Sequence, residues 1–452
     1  MDNHIQKTIF FVIATRERIN FILRTSIFKE LKAEGHSLVI ISPFGENAEF
    51  QKEFAGKNVY FEPLAVISER EKHLSNWRDK ALYIDHPRLK ASRAIHELGT
   101  KRYVPQKTAF TEFKKIIRKI FFAILPSVLR TSPKVWGAIE HIFGQNTAAK
   151  RLFKRYRPQL VVMASAGAEG QDIALINAAR RWGAKTIVTD SNIDVFEFRY
   201  FSYPRPVNLW TLFSDIQRKD ASTIQRVPEK NIAITGPVRY DFYFKEFIPE
   251  SREAFCKRLG LDPAKKIVIY GSKIKKMYPP NGEIIDILKK AVEHSAYPSQ
   301  LYVRFAPGDN PMEYPEMIKG IHYERAEEAM SRDHIANLLY HSDVVISIGS
   351  TFCCEAILFN RPSIWVAFDG YTVKPITDSY RVFYDLELFK RFERIGGIPL
   401  VNSPEELVAK VYDYLKNPKL DEEKRRATIK EQYGVTDGEA GNRVIAEIKK
   451  LL

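Results

Sequence analysis

Residues Ser342 to Gly370, SDVVISIGSTFCCEAILFNRPSIWVAFDG, compress an apolar strand, a glycine turn, a helix and a second apolar strand into one run. Val344 to Ile348 is almost continuously apolar, broken only by the small Ser347, which suits a parallel strand covered on both faces. Gly349 permits a tight turn, and Ser350 or Thr351 can cap the helix that follows. A strand–turn–helix–strand unit of this kind points to an α/β chain built on parallel sheet. The start of such a helix offers unpaired N–H donors and the positive end of the macrodipole, which suit a phosphate or diphosphate. Glu355 lies one turn further on, where its carboxylate can accept hydrogen bonds from ribose or sugar hydroxyls. The alternative is that Ser350 and Thr351 only cap an ordinary βαβ helix and Glu355 is a solvated helix residue.

The same alternation recurs along the chain. Thr8 to Ala14 reads as a strand, Phe21 to Glu34 as a helix closed by Gly35, and Ser37 to Ser42 as a second strand. From about Glu69 to Lys154 the pattern turns helical, charged and aromatic, as expected of an insertion. The sheet resumes at Leu160 to Met163, followed by a helix over Asp172 to Trp182 and a strand over Lys185 to Thr189. Glu169, Asp172, Asp190 and Asp194 sit at these strand ends, where ligands collect in open α/β sheets. A second series begins after Gly236 to Phe244. Ile267 to Tyr270 is a strand followed at once by Gly271, Ser272, Lys273, Lys275 and Lys276, cations suited to phosphate. Leu301 to Phe305 is another, with Arg304 near its end, and Ser363 to Phe368 carries Asp369 and Gly370 at its tip. Helices over Glu405 to Leu415 and Asn442 to Leu452 close the chain.

At 452 residues the chain is roughly three typical domains in length, so two domains are expected, 1–243 and 244–452, with a helical insertion at about 69–158 and the last helix packing back on the first domain. Three cysteines, Cys256, Cys353 and Cys354, are too few and too poorly spaced for a disulfide framework or a zinc site, which fits a reducing cytoplasm. No apolar run reaches the length of about 18 residues that spans a bilayer. The net charge of +15 calls for a partner. Zinc-finger spacing, RNP-like strands and basic heptads are all missing, so nucleic acid is not expected. Anionic lipid is the other candidate, through residues 112–143, where Lys114, Lys115, Arg118 and Lys119 stand beside Phe121, Phe122, Ile124, Leu125 and Val128. That segment either lies in a membrane interface or packs its apolar stripe on its own domain.

Taken in order, these pieces resemble bacterial glycosyltransferases of the GT-B fold, in the branch related to CDP-glycerol glycerophosphotransferases and the sugar transferases of cell-surface polysaccharide synthesis. The segments that carry the resemblance are TDSNIDVF at Thr189 to Phe196, TGPVRYDFYF at Thr235 to Phe244, VRFAPGD at Val303 to Asp309, His341 to Gly370, and TDGEAGNR at Thr436 to Arg443. They run from about residue 160 to the C-terminus. Three departures stand out: Ala306 occupies the place of the branch's histidine before Pro307, Asn192 replaces its tryptophan, and its aspartate is displaced to Asp194. Together they weaken glycerophosphotransfer more than sugar transfer.

The resemblance implies two Rossmann-like domains facing across a cleft, the second binding the nucleotide of an activated sugar and the first binding a glycan or lipid-linked acceptor. Ser272, Lys273, Lys275, Arg304, Gly349, Ser350, Thr351, Glu355 and Asp369 would then hold the donor, and helix N–H groups and cations would stabilise the departing diphosphate. No cofactor is expected, and without a DxD-type pair in a comparable position the reaction is expected to be metal-independent. An inverting transfer needs a base from the first half. The candidates are Asp194, Glu169 and Asp190, with Asp194 preferred. Sugar transfer in the cytoplasm, peripheral to the inner face of the plasma membrane, is the leading expectation. An isomerase resembling UDP-N-acetylglucosamine 2-epimerase shares the architecture and is the alternative, beside a CDP-glycerol-type glycerophosphotransferase.

Overall fold

The computed structural model describes residues 6–64, 66–84, 92, 132–168, 170–189, 192–200, 203–273, 278, 280–306, 310–324, 331–376 and 379–452. They fall into two compact units, one within Met1–Lys90, Lys107–Glu246 and Gln432–Leu452 and the other within Ala91–Gln106 and Phe247–Glu431.

The first unit is built on seven parallel strands: β1 (Thr8–Val12), β2 (Ser37–Ile41), β3 (Val59–Glu62), β4 (Leu160–Met163), β5 (Lys185–Thr189), β6 (Leu209–Leu212) and β7 (Ile232–Ile234). Their order in the sheet is β3-β2-β1-β4-β5-β6-β7. Neighbouring residues of each strand feed opposite cores. Phe10, Val12, Val39, Ile41, Val161 and Met163 pack on one side with the helices Thr147–Tyr156 and Gly170–Trp182. Ile9, Phe11, Leu38, Ile40, Leu160 and Val162 pack on the other with Ser26–Ala33 and Ala440–Leu451. A strand buried on both faces has no polar side to show, which is why these read as unbroken apolar runs.

The helix expected over Phe21 to Glu34 is interrupted. A π-helical turn spans Ile19–Leu23, and the regular helix starts only at Ser26, because Thr25 is extended and donates its hydroxyl to the Ile22 carbonyl at 2.7 Å. Helices Glu69–Ile84, Pro133–Phe143 and Thr147–Tyr156 occupy the expected helical insertion. Two buried arginines tie it to the sheet loops: Arg205 donates to Glu140 at 2.8 Å, and Arg78 to the Tyr203 carbonyl at 2.6 Å. Of the segment 112–143, residues 112–131, including Lys114, Lys115, Arg118 and Lys119, lie outside the described residues. Its end buries Trp136 against Ala81, Leu82 and Tyr203 and exposes Ile142 and Phe143. Among the described residues no helix is long and apolar enough to cross a membrane.

The second unit has six parallel strands: β8 (Lys266–Gly271), β9 (Ser299–Arg304), β10 (His322–Tyr323), β11 (Val344–Ser347), β12 (Ser363–Val366) and β13 (Leu400–Val401), ordered β10-β9-β8-β11-β12-β13. The helix Asn281–Glu293 covers β9 with Ile284, Ile285 and Leu288 buried, and Pro404–Lys416 covers β11 to β13. Ser403 caps the latter, accepting from Glu406 N–H at 3.2 Å ahead of a proline at the first helical position.

Candidate functional site

In the second sheet the chain's direction of growth reverses between β8 and β11, since β9 and β10 build outward on one side and β12 and β13 on the other. At such a reversal the loops leaving two adjacent strands part company, opening a crevice above their carboxyl ends. Lys273 follows β8, and its Nζ reaches 3.3 Å from the Gly349 carbonyl, just past β11 on the far side of the reversal. Its backbone is fixed on both sides by the fully buried Asn281, whose Oδ1 accepts from Lys273 N–H at 3.2 Å and whose Nδ2 donates to the Lys273 carbonyl. Tyr270 donates to the same Oδ1 at 2.8 Å. The ammonium lies 5.4 Å from the centre of the Tyr380 ring. Asn281 had no signal in the sequence beyond an ordinary Pro-Asn-Gly turn.

Gly349 has φ +50°, and a Cβ there would come within 3.1 Å of Tyr380 and 3.2 Å of Phe389. Only glycine fits both the dihedral and the space. Ser350 accepts from Phe352 N–H at 3.3 Å, so it caps the helix, and its carbonyl accepts from Trp365 Nε1 at 3.3 Å. Gly349, Ser350 and Thr351 are each partly exposed. The helix itself, Thr351–Ala356, is short and ends in a 3-10 turn, Ile357–Phe359. Its macrodipole is correspondingly modest, so the electrostatic weight at this crevice rests on the cations more than the helix end.

Arg304 closes β9, with its guanidinium 5.2 Å from the Phe352 ring and Nε 3.4 Å from Glu324 Oε1. Gly271 allows this close packing, since a Cβ there would meet Phe352 at 3.0 Å. Ser272 is buried and structural: its N–H donates to the Arg304 carbonyl at 2.9 Å and its hydroxyl accepts from Ala306 N–H at 3.0 Å, joining the ends of β8 and β9. Glu355 is buried at 7% exposure, unlike the solvated helix residue that was the alternative. Asp369 is buried too, accepting from the Ser379 hydroxyl at 2.8 Å with Arg381 Nε at 3.3 Å. Lys275 and Lys276 lie outside the described residues. The second sheet thus lines Arg304, Ser272, Lys273, Gly349, Ser350, Thr351 and Asp369 along one edge. Cys353, 3.0 Å from the Ser347 hydroxyl, is fully buried, and burial pushes its thiol up to about 12, which keeps it protonated and non-nucleophilic.

In the first unit, Asp194 follows β5 ahead of a π-helical turn, Val195–Arg199. Its Oδ1 is buried and has no hydrogen-bond partner among the described residues. Glu169 and Asp190 lie outside the described residues. Asp172 is buried and accepts a short hydrogen bond from Ser165. The Arg239 guanidinium lies 4.2 Å from the centre of the Phe21 ring, and the Asp241 carboxylate accepts from the N–H groups of Ala440 and Gly441 at 3.1 and 2.7 Å.

The sequence matches no protein-family model and no curated protein. Solved structures match over nearly the whole chain. UDP-GlcNAc 2-epimerase from Neisseria meningitidis, bound to UDP-GlcNAc, aligns with a TM-score of 0.58 at 10% identity, covering 98% of this chain and 100% of its own. The UDP-GlcNAc 2-epimerase of Methanocaldococcus jannaschii gives 0.55 at 10% identity, over 98% and 99%. A glycosyltransferase from Rickettsia africae gives 0.50 at 14% identity, over 98% and 99%. The protein therefore has the α/β GT-B fold of two Rossmann-like domains.

Proposed function

We propose that the protein acts on a nucleotide-activated sugar, held by its diphosphate above β8 and β11, and transfers the sugar to a glycan or lipid-linked acceptor without a metal ion. The observation that carries this reading is the Lys273 contact across the strand-order reversal, which sets a cation beside the Gly349–Thr351 turn. Lys273 and Arg304 would offset the charge that builds on the departing diphosphate, and Ser350 and Thr351 would border it. Glu355 would orient sugar or ribose hydroxyls. Asp194, with an unpartnered buried oxygen, is the candidate base in the first unit.

Calorimetry against UDP, CDP, GDP and their sugars tests the reading. One nucleotide should bind selectively, and Lys273→Ala and Arg304→Ala should each weaken it about ten-fold, the scale of one charge-assisted hydrogen bond. Wild-type affinity in both variants would remove the site. A second reading, isomerisation of a UDP-sugar, is supported by the fold shared with UDP-GlcNAc 2-epimerases. Incubation with UDP-GlcNAc alone separates the two, because epimerisation needs no acceptor and transfer does.

A further inference from the structure

Behind Arg304 stands a row of side chains that the nucleotide site does not itself require. β10 pairs with β9 so that His322 meets Tyr302 and Tyr323 meets Val303, and Glu324 N–H extends the ladder to the Val303 carbonyl at 2.9 Å. One further step in this register sets Glu324 beside Arg304. The Glu324 carboxylate is almost fully buried, with Oε1 at ion-pair distance, 3.4 Å from Arg304 Nε and 3.2 Å from His334 Nε2, though neither contact has the alignment of a hydrogen bond. His334 is buried on the helix Arg332–His341. Its other nitrogen, Nδ1, lies 3.1 Å from Arg258 Nη1. A guanidinium can only donate, so Nδ1 must accept, and the proton of the neutral ring belongs on Nε2, facing Glu324. Arg258 is held in turn by both oxygens of Glu250, at 2.7 and 3.2 Å. Three groups in series, Glu250, Arg258 and His334, thus stand behind one buried carboxylate that lies at ion-pair distance from the arginine bordering the site.

We propose that Glu324 and His334 are positioning residues for Arg304, orienting its guanidinium toward the diphosphate of a bound nucleotide, an inference that rests on the nucleotide-binding reading above. A buried carboxylate beside Nε fixes the plane of the guanidinium, and the histidine fixes the carboxylate, so the arginine meets its ligand without an ordering cost at the moment of binding. A salt bridge that served only stability would have no reason to distinguish a nucleotide from its nucleoside.

The test is calorimetry with UDP, CDP and GDP and with the matching nucleosides, alongside thermal melting of each variant. Glu324→Gln, which keeps shape and removes charge, should weaken the nucleoside diphosphate that the wild type binds by about ten-fold while leaving its nucleoside unchanged. In an Arg304→Ala background the same change should have no further effect, since the group it positions is gone. His334→Gln, whose amide N–H can replace Nε2–H, should retain most of the affinity that His334→Leu loses. Wild-type affinity in Glu324→Gln and His334→Leu, or losses additive with Arg304→Ala, would overturn the positioning role and leave the nucleotide site standing. Equal losses of nucleotide and nucleoside that follow the melting temperature would also overturn it. A wild type that binds none of the three diphosphates overturns both readings together.

Discussion

Gly349 is where conformation and packing constrain the same atom. At φ +50° an L side chain is strained, and the Tyr380 and Phe389 rings close the space a Cβ would need. Gly349→Ala is expected to cost about 1–3 kcal/mol of stability, measurable by urea denaturation, and to shift the turn that borders the proposed nucleotide site. The three thiols give a second residue-scale prediction. Cys256, Cys353 and Cys354 are all buried, and the Cys353 thiol is held near 12 by burial. The native protein should therefore show no fast-reacting thiol toward an aromatic disulfide reagent at pH 8, and all three should react in denaturant. A rapid native thiol would contradict this. Gly349, Lys273 and Arg304 were legible in the sequence because each punctuates a strand end, a local signal. Asn281, Glu324 and His334 were not, because what gives each its meaning is a partner that only the fold brings to it: Asn281 meets Tyr270 and Lys273 across a turn, and Glu324 lies beside Arg304 across the β9–β10 ladder.

Among the elements, legibility follows burial. β1, β2, β4, β5, β8, β9, β11 and β12 read as apolar runs because both faces are covered. β3 is half-exposed, β10 and β13 have two residues each, and β7 has three partly exposed residues, so hydrophobic pattern had little to mark them. β6, four residues and fully buried, has its apolar run LWTL interrupted by Thr211, which left it unmarked. The C-terminal helix Ala440–Leu451 starts without a side-chain cap of its own and takes one from Asp241, about 200 residues earlier. Asp241→Ala should cost about 1 kcal/mol. Burial raises the Asp241 carboxyl from 3.8 to about 6. Between those values the folded chain holds more protons than the unfolded one, so this group's contribution to stability is full below pH 3.8 and lost as pH rises through about 6. Asp241→Asn, neutral and still able to cap, should flatten that part of the melting-temperature profile; an unchanged slope would assign the pH dependence elsewhere.

For the molecule as a whole, TM-scores of 0.58 and 0.50 at 10% and 14% identity show a GT-B fold shared with few residues in common. A shared fold leaves ligand identity to the side chains, so support for the proposed acceptor must be sought in this chain's own sequence. That sequence carries a net charge of +15, and its segment 112–143 sets four cations beside an aromatic and aliphatic stretch. The proposed lipid-linked acceptor would require the protein to work at a membrane surface, where each cation near anionic headgroups contributes about 1 kcal/mol. The protein should therefore float with vesicles containing phosphatidylglycerol and not with neutral ones, and the binding should weaken as ionic strength rises. Replacing Lys114, Lys115, Arg118 and Lys119 together by glutamate should abolish flotation while leaving nucleotide affinity intact. Flotation unchanged by that variant would return the segment to an internal packing role and turn the search toward a water-soluble glycan acceptor.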